Sequence, residues 1–312
     1  MLLTLLALVV GVGLLAYAAD QFVLGAARVA LIRNMSQLVV GVVIIGFGTS
    51  CPELLVSAIA AAGDKPEIAV GNIVGSNVAN LSLLLGVGAI IIPLSVSSST
   101  VRREAPITLA AMIAFALAVQ GGGINAVEGA ALLVALGLAV WKVTSASHGD
   151  PLGTETEELA DVAHHRLSHE ALRTLLGLIG TIAGAQLLLW GAIDVADRAG
   201  IGEGFVGFTL VAIGTSLPEL VTVIQSARRR EPDLIVGNLL GSNMFNALGV
   251  GGMLGFVGSS ELDGSVLTSL GVIGAVAVGA VALVLMATRR TISRIEGLAL
   301  VVFYALLVPV VS

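Results

Sequence analysis

The chain has 312 residues, of which 56 % are hydrophobic and 12 % are charged, and its mean hydropathy is +1.02. Globular chains carry about 25 % charged residues, so this composition excludes a water-soluble protein. The apolar segments run continuously instead of alternating with polar residues, which also excludes a transmembrane β-barrel. The formal net charge of −6 decides little, because in a membrane protein the side on which charges lie matters more than their sum. The composition therefore predicts an all-α polytopic membrane protein.

The apolar runs, separated by charged or Gly/Pro-rich breaks, predict ten transmembrane helices of about 20 residues each. In chain order they cover residues 2–26, 37–62, 68–93, 105–120, 124–143, 171–193, 203–226, 234–258, 265–287 and 295–311. The first run resembles a signal peptide in its apolarity, but it lacks the basic residues that open such a peptide. We therefore expect it to stay in the protein as the first helix.

The basic residues indicate how these helices are oriented. Of the 15 Lys and Arg residues, only Lys65 and Arg198 follow even-numbered helices. The other thirteen follow odd-numbered helices: Arg28, Arg33, Arg102, Arg103, Lys142, Arg166, Arg173, Arg228, Arg229, Arg230, Arg289, Arg290 and Arg294. Because cytoplasmic loops carry the Lys/Arg excess, the sequence predicts a multi-pass protein of the cell membrane with both termini extracellular.

The sequence contains one 40-residue unit twice. Residues 41–80 and 207–246 align without a gap at an offset of 166 (207 − 41 = 166), and 16 of the 40 positions are identical. The shared core reads GTSxPEL and then VGNxxGSNxxN. These shared Gly, Ser, Thr, Asn, Pro and Glu residues are ones that a membrane span normally avoids. The repeat therefore indicates a duplication that has retained its chemistry.

The predicted topology turns the two copies in opposite directions, since helix 2 begins on the cytoplasmic side and helix 7 on the outer side. We predict a first repeat of five helices over residues 1–143, a cytoplasmic linker over 144–170, and a second repeat of five helices over 171–312. Inverted repeats are typical of secondary transporters, whose substrate sites form at the repeat interface near the bilayer midplane. The linker holds an acidic cluster and an H-H-x-x-x-H pattern, which fits either a polar spacer or a regulatory ion or proton site.

Two acidic residues, Glu53 and Glu219, lie in the middle of helices 2 and 7. A carboxylate at the bilayer centre costs at least about 2.5 kcal/mol, and the sequence offers no buried Lys, Arg or His to neutralise it, since the nearest basic residues are expected at helix ends. The compensating charge must come from protons or from bound cations. The alternative is a pair of protonated glutamic acids with a purely structural role.

The residues around the two glutamates favour a hard cation. Pro52 and Pro218 lack a backbone N–H. In a continuous helix this frees the carbonyls four residues back and loosens the next two in each copy, which are those of Gly48, Thr49 and Ser50 and those of Gly214, Thr215 and Ser216. On each glutamate helix a threonine shares the face of the glutamate, and on the next helix a serine and an asparagine share a face. These residues are Thr49, Ser76 and Asn80 in the first copy and Thr215, Ser242 and Asn246 in the second. If the faces converge, they form an oxygen cage of the kind that Ca²⁺ and Na⁺ prefer.

The small residues near the repeats have packing roles in this interpretation. We expect Gly46, Gly48, Gly71, Gly75 and Gly86 to let helix backbones approach closely. The single cysteine, Cys51, excludes an intrachain disulfide and a thiolate metal cluster, and we interpret it as a small packing residue.

The motifs GTSCPE, GNIVGSNVAN, GTSLPE and GNLLGSNMFN resemble the two α-repeats of the sodium/calcium exchangers of the calcium:cation antiporter superfamily. The resemblance implies a transporter that exchanges Ca²⁺ for Na⁺, has no enzymatic activity and needs no cofactor. It also implies that helices 1 and 6 slide as a gate against the other eight. The family's ion ligands fall on Thr49, Ser50, Glu53, Ser76, Asn80, Thr215, Ser216, Glu219, Ser242 and Asn246.

Three alternatives remain open on the sequence. Some relatives, notably the potassium-dependent ones, carry Asp where this chain has Asn246; the two glutamates leave two formal negative charges, which favours potassium independence. Two protons would balance those charges as well as two Na⁺ ions, so a Ca²⁺/H⁺ exchanger is the main alternative. A cation channel is a further alternative, although channels generally gain their pore from oligomeric or parallel symmetry and the predicted duplication is inverted. The expected partners are inorganic cations and the lipid bilayer, not nucleic acid, and a monomer suffices for transport.

Overall fold

The computed structural model describes residues 2–33, 35, 37–63, 66–120, 122–145, 166–198, 212–257 and 270–311. Its first half contains α1 (Leu2–Ile32), α2 (37–49), α3 (Cys51–Ala62), α4 (66–91), α5 (Ser98–Arg102), α6 (Glu104–Val119) and α7 (Ala126–Ser145). Its second half contains α8 (Leu167–Arg198), α9 (Ala212–Thr215), α10 (Leu217–Arg228), α11 (Pro232–Leu254), α12 (Leu270–Arg289) and α13 (Arg294–Val311). Two short strands, β1 (Leu94–Ser95) and β2 (Thr291–Ile292), pair antiparallel. The acidic part of the predicted linker and most of its histidines lie outside the described residues.

Local sequence signals account for several helix ends. Pro66 and Pro232 open α4 and α11 at the same position of the two copies, where a missing N–H costs nothing. At the start of α7, the Asn125 side chain accepts the N–H groups of Val127 and Glu128 at 2.9 and 3.0 Å, and Glu128 accepts the Asn125 N–H at 2.9 Å. Ser293 and Glu296 form a similar reciprocal pair at the start of α13. Both are capping boxes, which satisfy donors at a helix start.

Four described helices are long and apolar enough to cross a membrane, at Leu3–Ile32, Ile68–Ile91, Ala126–Ser145 and Pro232–Leu254. A fifth span is obtained when Gly41–Thr49 and Cys51–Ala62, which are bent by 45° at the break between them, are taken together. Helical, multi-pass architecture is therefore as predicted, while the count of ten spans stays a prediction. The predicted span 37–62 differs from the structure in that it is two helices, and the predicted first span extends to Ile32.

Three of the described helices contain a π-helical stretch, at Gly41–Gly46 in α2, Asn80–Leu84 in α4 and Phe245–Val250 in α11. The second and third begin within one residue of the same repeat position, and each contains the asparagine that closes the GNxxGSNxxN motif. Such π-bulges recur at functional sites because they redirect a side chain without ending the helix.

The most buried helices lie at the centre of the bundle. Ninety-four per cent of the apolar window of α11 and 72 % of that of α4 are buried, compared with 33 % for α1 and 22 % for α7. The outer helices expose large apolar side chains instead, among them Leu6, Val134, Leu176 and Leu306. Buried polar side chains are concentrated on the central helices. This distribution, with apolar side chains outside and polar side chains inside, fits a protein whose outer surface contacts lipid and whose polar groups contact one another.

Glycine contacts fix the directions of neighbouring helices. Along α8, Gly177 lies against Phe22, Gly184 against Leu15 and Gly191 against Leu8, so α1 and α8 run antiparallel. Between α2 and α11, Gly41 lies against Gly237 and Gly46 against Gly241 and Ser242, so these two helices run parallel.

The predicted packing role of the glycines is confirmed at some positions and wrong at others. A methyl group added at Gly46 or Gly86 would lie 2.8 or 2.6 Å from a neighbouring helix. At Gly48 it would meet the Leu178 side chain at 2.9 Å. At Gly71 and Gly75 it would meet no described atom within 4 Å. The prediction for Cys51 is also wrong, because its side chain is exposed on the outside of α3.

The charged residues separate toward the two ends of the α1/α8 pair. At one end, carboxylate oxygens of Glu170 lie 3.5 Å from Nη1 of Arg28 and 3.3 Å from Nη1 of Arg173. At the other end, Nε of Arg198 lies 2.7 Å from Oδ2 of Asp194. Thr4 also donates to Asp194 at that second end. Arg198 thus lies at the opposite end of the helix pair from Arg28 and Arg173, as the predicted topology requires. Which of the two ends faces the cytoplasm stays a prediction.

Replacement of Gly241 by Ala should destabilise the protein, because the added methyl group would lie 2.6 Å from Cα of Val42. Overpacking of this kind costs about 1–3 kcal/mol. The matched control is Gly75→Ala, the same motif position in the first copy, where the space is open and loss of a helical glycine is neutral or favourable. The thermal unfolding midpoints of the two variants in detergent measure both effects. Equal losses at the two positions would contradict the packing described above.

Candidate functional site

The two buried glutamates each lie one turn beyond a break in a helix. The break in the first copy is Ser50, with φ −82° and ψ 7°, and the break in the second is Ser216, with φ −88° and ψ 7°. Both residues lie in the sparsely populated bridge region of backbone space. Pro52 and Pro218 follow two residues later and occupy the first turn of the new helix, where proline is tolerated. The proline therefore restarts the helix and leaves the serine outside it.

The predicted loosening of the serine carbonyls is wrong. The Leu54 N–H donates to the Ser50 carbonyl at 3.1 Å, and the Leu220 N–H donates to the Ser216 carbonyl at 3.0 Å. Both carbonyls thus remain in helical hydrogen bonds, because a proline at the second helical position removes only a donor that the first turn does not use.

The hydroxyl groups of the two serines connect the copies across the site. Ser50 donates to Oε1 of Glu219 at 3.2 Å, and Ser216 donates to Oε1 of Glu53 at 3.2 Å. Each contact is the counterpart of the other under the offset of 166. The reciprocal pair brings together two carboxyl groups that are 166 residues apart in the chain.

All ten predicted ligands are buried, with exposed fractions between 0 and 4 %: Thr49, Ser50, Glu53, Ser76, Asn80, Thr215, Ser216, Glu219, Ser242 and Asn246. The hydroxyls of Thr215 and Ser76 also approach the Glu53 carboxyl, and that of Thr49 approaches Glu219. Ser242 donates to the Gly46 carbonyl at 3.1 Å. The two repeats thus converge on one polar centre.

Several buried oxygen atoms of the two repeats have no hydrogen-bond partner among the described residues. They are Oε2 of Glu53, Oε2 of Glu219, and the amide oxygens of Asn77, Asn80 and Asn246. An unpaired buried polar group costs roughly 1–3 kcal/mol, and more when it is charged, so a cluster of them requires an explanation. All five are oxygens that a hard cation binds.

The site has no protein countercharge in the described part of the chain. The salt bridges found there do not include Glu53 or Glu219. The described residues also contain no cluster of three or more His, Cys, Asp or Glu side chains that could hold a metal. The donors are instead two carboxylates together with neutral amides and hydroxyls, a set suited to hard cations and not to zinc or copper.

Four buried asparagines that extend the site were not predicted from the sequence: Asn72, Asn77, Asn238 and Asn243. Asn80 donates to Oδ1 of Asn243 at 2.9 Å, and Asn243 donates to the Asn77 carbonyl at 3.3 Å. Asn72 and Asn238 contact the glutamate helices. The signal was present, since all four belong to the GNxxGSN motif of both copies.

Comparison with known proteins identifies the group to which this chain is similar. The profile of the family described as "Sodium/calcium exchanger protein" matches residues 3–144 and 169–312. The chain is 35 % identical over 306 residues to a putative antiporter, CaxA, of Alkalimonas amylolytica, covering 95 % of each chain. It is 27 % identical over 337 residues to the sodium/calcium exchanger MaX1 of Methanosarcina acetivorans, covering 96 % of this chain and 95 % of that one.

Solved structures give the same result for the fold. The chain superposes on the sodium-calcium exchanger NCX_Mj, soaked with Na⁺ and Sr²⁺, with a TM-score of 0.86 and 28 % identity, covering 99 % of this chain and 98 % of that one. A second structure of that exchanger, soaked with Na⁺ and no Ca²⁺, gives a TM-score of 0.84. The chain therefore belongs to the sodium/calcium exchanger protein family, whose members are multi-pass membrane transporters of inorganic cations and not enzymes.

Proposed function

We propose that this protein is a secondary active antiporter that exchanges Ca²⁺ for Na⁺ across the membrane by alternating access. The observation that carries the proposal is the pair of fully buried glutamates, each with one oxygen on the opposite copy's serine and one oxygen without a partner among the described residues. Two carboxylates without a basic neighbour need cations to balance them. The named sodium/calcium exchangers among the relatives support the same ions.

The ten residues of the polar centre are the proposed ion ligands. Glu53 and Glu219 supply the charge. Neutral oxygens come from Thr49, Ser50, Ser76, Asn80, Thr215, Ser216, Ser242 and Asn246. Since Ca²⁺ takes roughly 6–8 oxygens, a set of this size can replace its hydration shell without further groups.

The proposed architecture is ten spans in two inverted repeats of five, over residues 1–143 and 171–312, joined by the linker 144–170. The antiparallel course of α1 and α8, which occupy corresponding positions of the two repeats, supports the inversion. The parallel course of α2 and α11 supports it as well, because the predicted topology gives both helices the same direction.

A Ca²⁺/H⁺ exchanger is the second candidate function. Its supporting observation is again the unpartnered Oε2 atom on each glutamate, which could hold a proton as readily as it could bind a metal ion. Charge balance does not separate the two candidates, since two protons and two Na⁺ ions neutralise the site equally.

Glu53→Gln and Glu219→Gln should each lower Ca²⁺ uptake into proteoliposomes by about 10- to 100-fold, since a charged contact is worth about 1.5–3 kcal/mol. The control is Glu128→Gln, which keeps the capping box of α7 because glutamine also fills that position. Near-normal uptake by both site variants would overturn the assignment of the glutamates.

The coupling ion is identified by imposing one gradient at a time. Ca²⁺ uptake should follow an outward Na⁺ gradient with the pH equal on both sides. Uptake that responds only to a pH gradient, and is unchanged by Na⁺, would move the protein to the proton-coupled alternative.

The proposed orientation is tested with single cysteines in a Cys51→Ser background. Val127→Cys at the start of α7 should react with a membrane-impermeant thiol reagent added outside intact cells, whereas Thr291→Cys in β2 should react only after permeabilisation. Both positions are exposed at opposite predicted faces. The reverse pattern would invert the topology.

A further inference from the structure

Asn72 and Asn238 occupy the same position of the two copies (72 + 166 = 238) on the central helices α4 and α11. Their exposed fractions are 9 and 1 %. Neither is one of the proposed ion ligands. Their hydrogen bonds, however, reach into both halves of the site.

Asn72 connects the first glutamate helix to the second helix break. Its amide nitrogen donates to the Glu53 backbone carbonyl at 3.3 Å and to the Ser57 hydroxyl at 3.0 Å. Its amide oxygen accepts the Thr215 hydroxyl of the other copy at 3.5 Å. One side chain thus holds the turn that carries Glu53 and the residue that precedes the break at Ser216.

Asn238 makes the equivalent connection from the glutamate helix of the second copy to the first copy. Its amide nitrogen donates to the Thr222 hydroxyl at 3.0 Å, and Thr222 in turn donates to the Glu219 carbonyl at 2.8 Å. Its amide oxygen accepts the Thr49 hydroxyl at 3.3 Å. The two asparagines therefore tie each glutamate helix to the threonine of the other copy.

The chemistry of the amide suits this role. Asparagine donates and accepts at the same time without a charge. An aspartate could only accept, and it would add a third negative charge beside the two glutamates. An apolar side chain of the same size would leave the Thr215 or Thr49 hydroxyl with one acceptor fewer inside the protein.

We propose that Asn72 and Asn238 are positioning residues that set the distance between the two glutamate helices and thereby the preference of the site for Ca²⁺ over Na⁺. The proposal rests on the exchange function proposed above. Coulomb attraction scales with the ion's charge, so when the carboxylates move apart a divalent ion loses twice the energy that a monovalent ion loses. A loosened site should therefore discriminate less in favour of Ca²⁺.

The first test is Asn72→Ala in proteoliposomes, read as the half-saturating concentrations of Ca²⁺ and Na⁺ and the maximal rate. Loss of one buried partner should raise the half-saturating Ca²⁺ concentration about tenfold. The Na⁺ value should rise only about threefold, the square root of ten, because a singly charged ion loses half the energy. A merely structural role would lower the maximal rate and leave the ratio of the two constants unchanged.

The second test is a double-mutant cycle on the same ratio. Adding Asn72→Ala to a Thr215→Val variant should change the ratio by clearly less than the roughly threefold change it causes in the unmodified protein, because Thr215→Val has already removed the contact, whatever else it loses as a ligand. Adding Asn72→Ala to a Thr49→Val variant should still change the ratio about threefold, because Thr49 contacts Asn238 instead. Asn238→Ala with Thr49→Val repeats the cycle in the other half should the Asn72 variants fail to fold.

The outcomes separate the inference from the function on which it rests. Absence of saturable Ca²⁺ uptake by the unmodified protein would overturn the exchange function and this inference with it. Normal uptake by the unmodified protein, together with independent effects of Asn72 and Thr215 or an unchanged Ca²⁺/Na⁺ ratio, would overturn the inference alone.

Discussion

The structure depends on two carboxyl groups that are fully buried and form no salt bridge with a basic side chain of the described residues. A charge in such a place is tolerated only with a counter-ion or with its proton retained. Around Glu53 and Glu219 the chain supplies hydroxyl and amide groups, which can orient the carboxyls without neutralising them. The site therefore requires a cation or a proton that can bind to the carboxyl groups and leave them again. Binding and release of this kind are what a cation exchanger needs.

Duplication explains how one short motif can build such a site. Each copy supplies a glutamate, a serine at a helix break and an asparagine on the next helix, and each of these groups contacts the other copy. Neither half contains a complete set of partners. Relative movement of the halves would change both glutamate environments together, which suits a protein that must release its ion alternately to two sides. The close glycine contacts of α2 with α11 hold the copies together near the site.

The sequence was sufficient to predict the helical membrane class and the residues that gather at the centre, because polar residues in apolar spans have few explanations. It failed where the outcome depends on tertiary spacing. Gly75 and Gly241 share a motif position, yet only Gly241 meets a neighbouring backbone. Ser50 was expected to offer its carbonyl, but the proline restarts the helix and the hydroxyl faces Glu219 instead. The linking role of Asn72 and Asn238 needed the three-dimensional contacts, since their partners in the other copy lie more than 140 residues away.

Anomalous diffraction from crystals soaked in Ca²⁺, or in Sr²⁺ as a heavier surrogate, would locate the bound ion relative to Glu53 and Glu219. We expect a peak between the two glutamates, at about 2.3–2.6 Å from a carboxylate oxygen of each, and we expect it to weaken as Na⁺ replaces the divalent ion. A strong peak elsewhere in the protein, with Glu53 and Glu219 free of any ion under saturating Ca²⁺, would contradict this expectation.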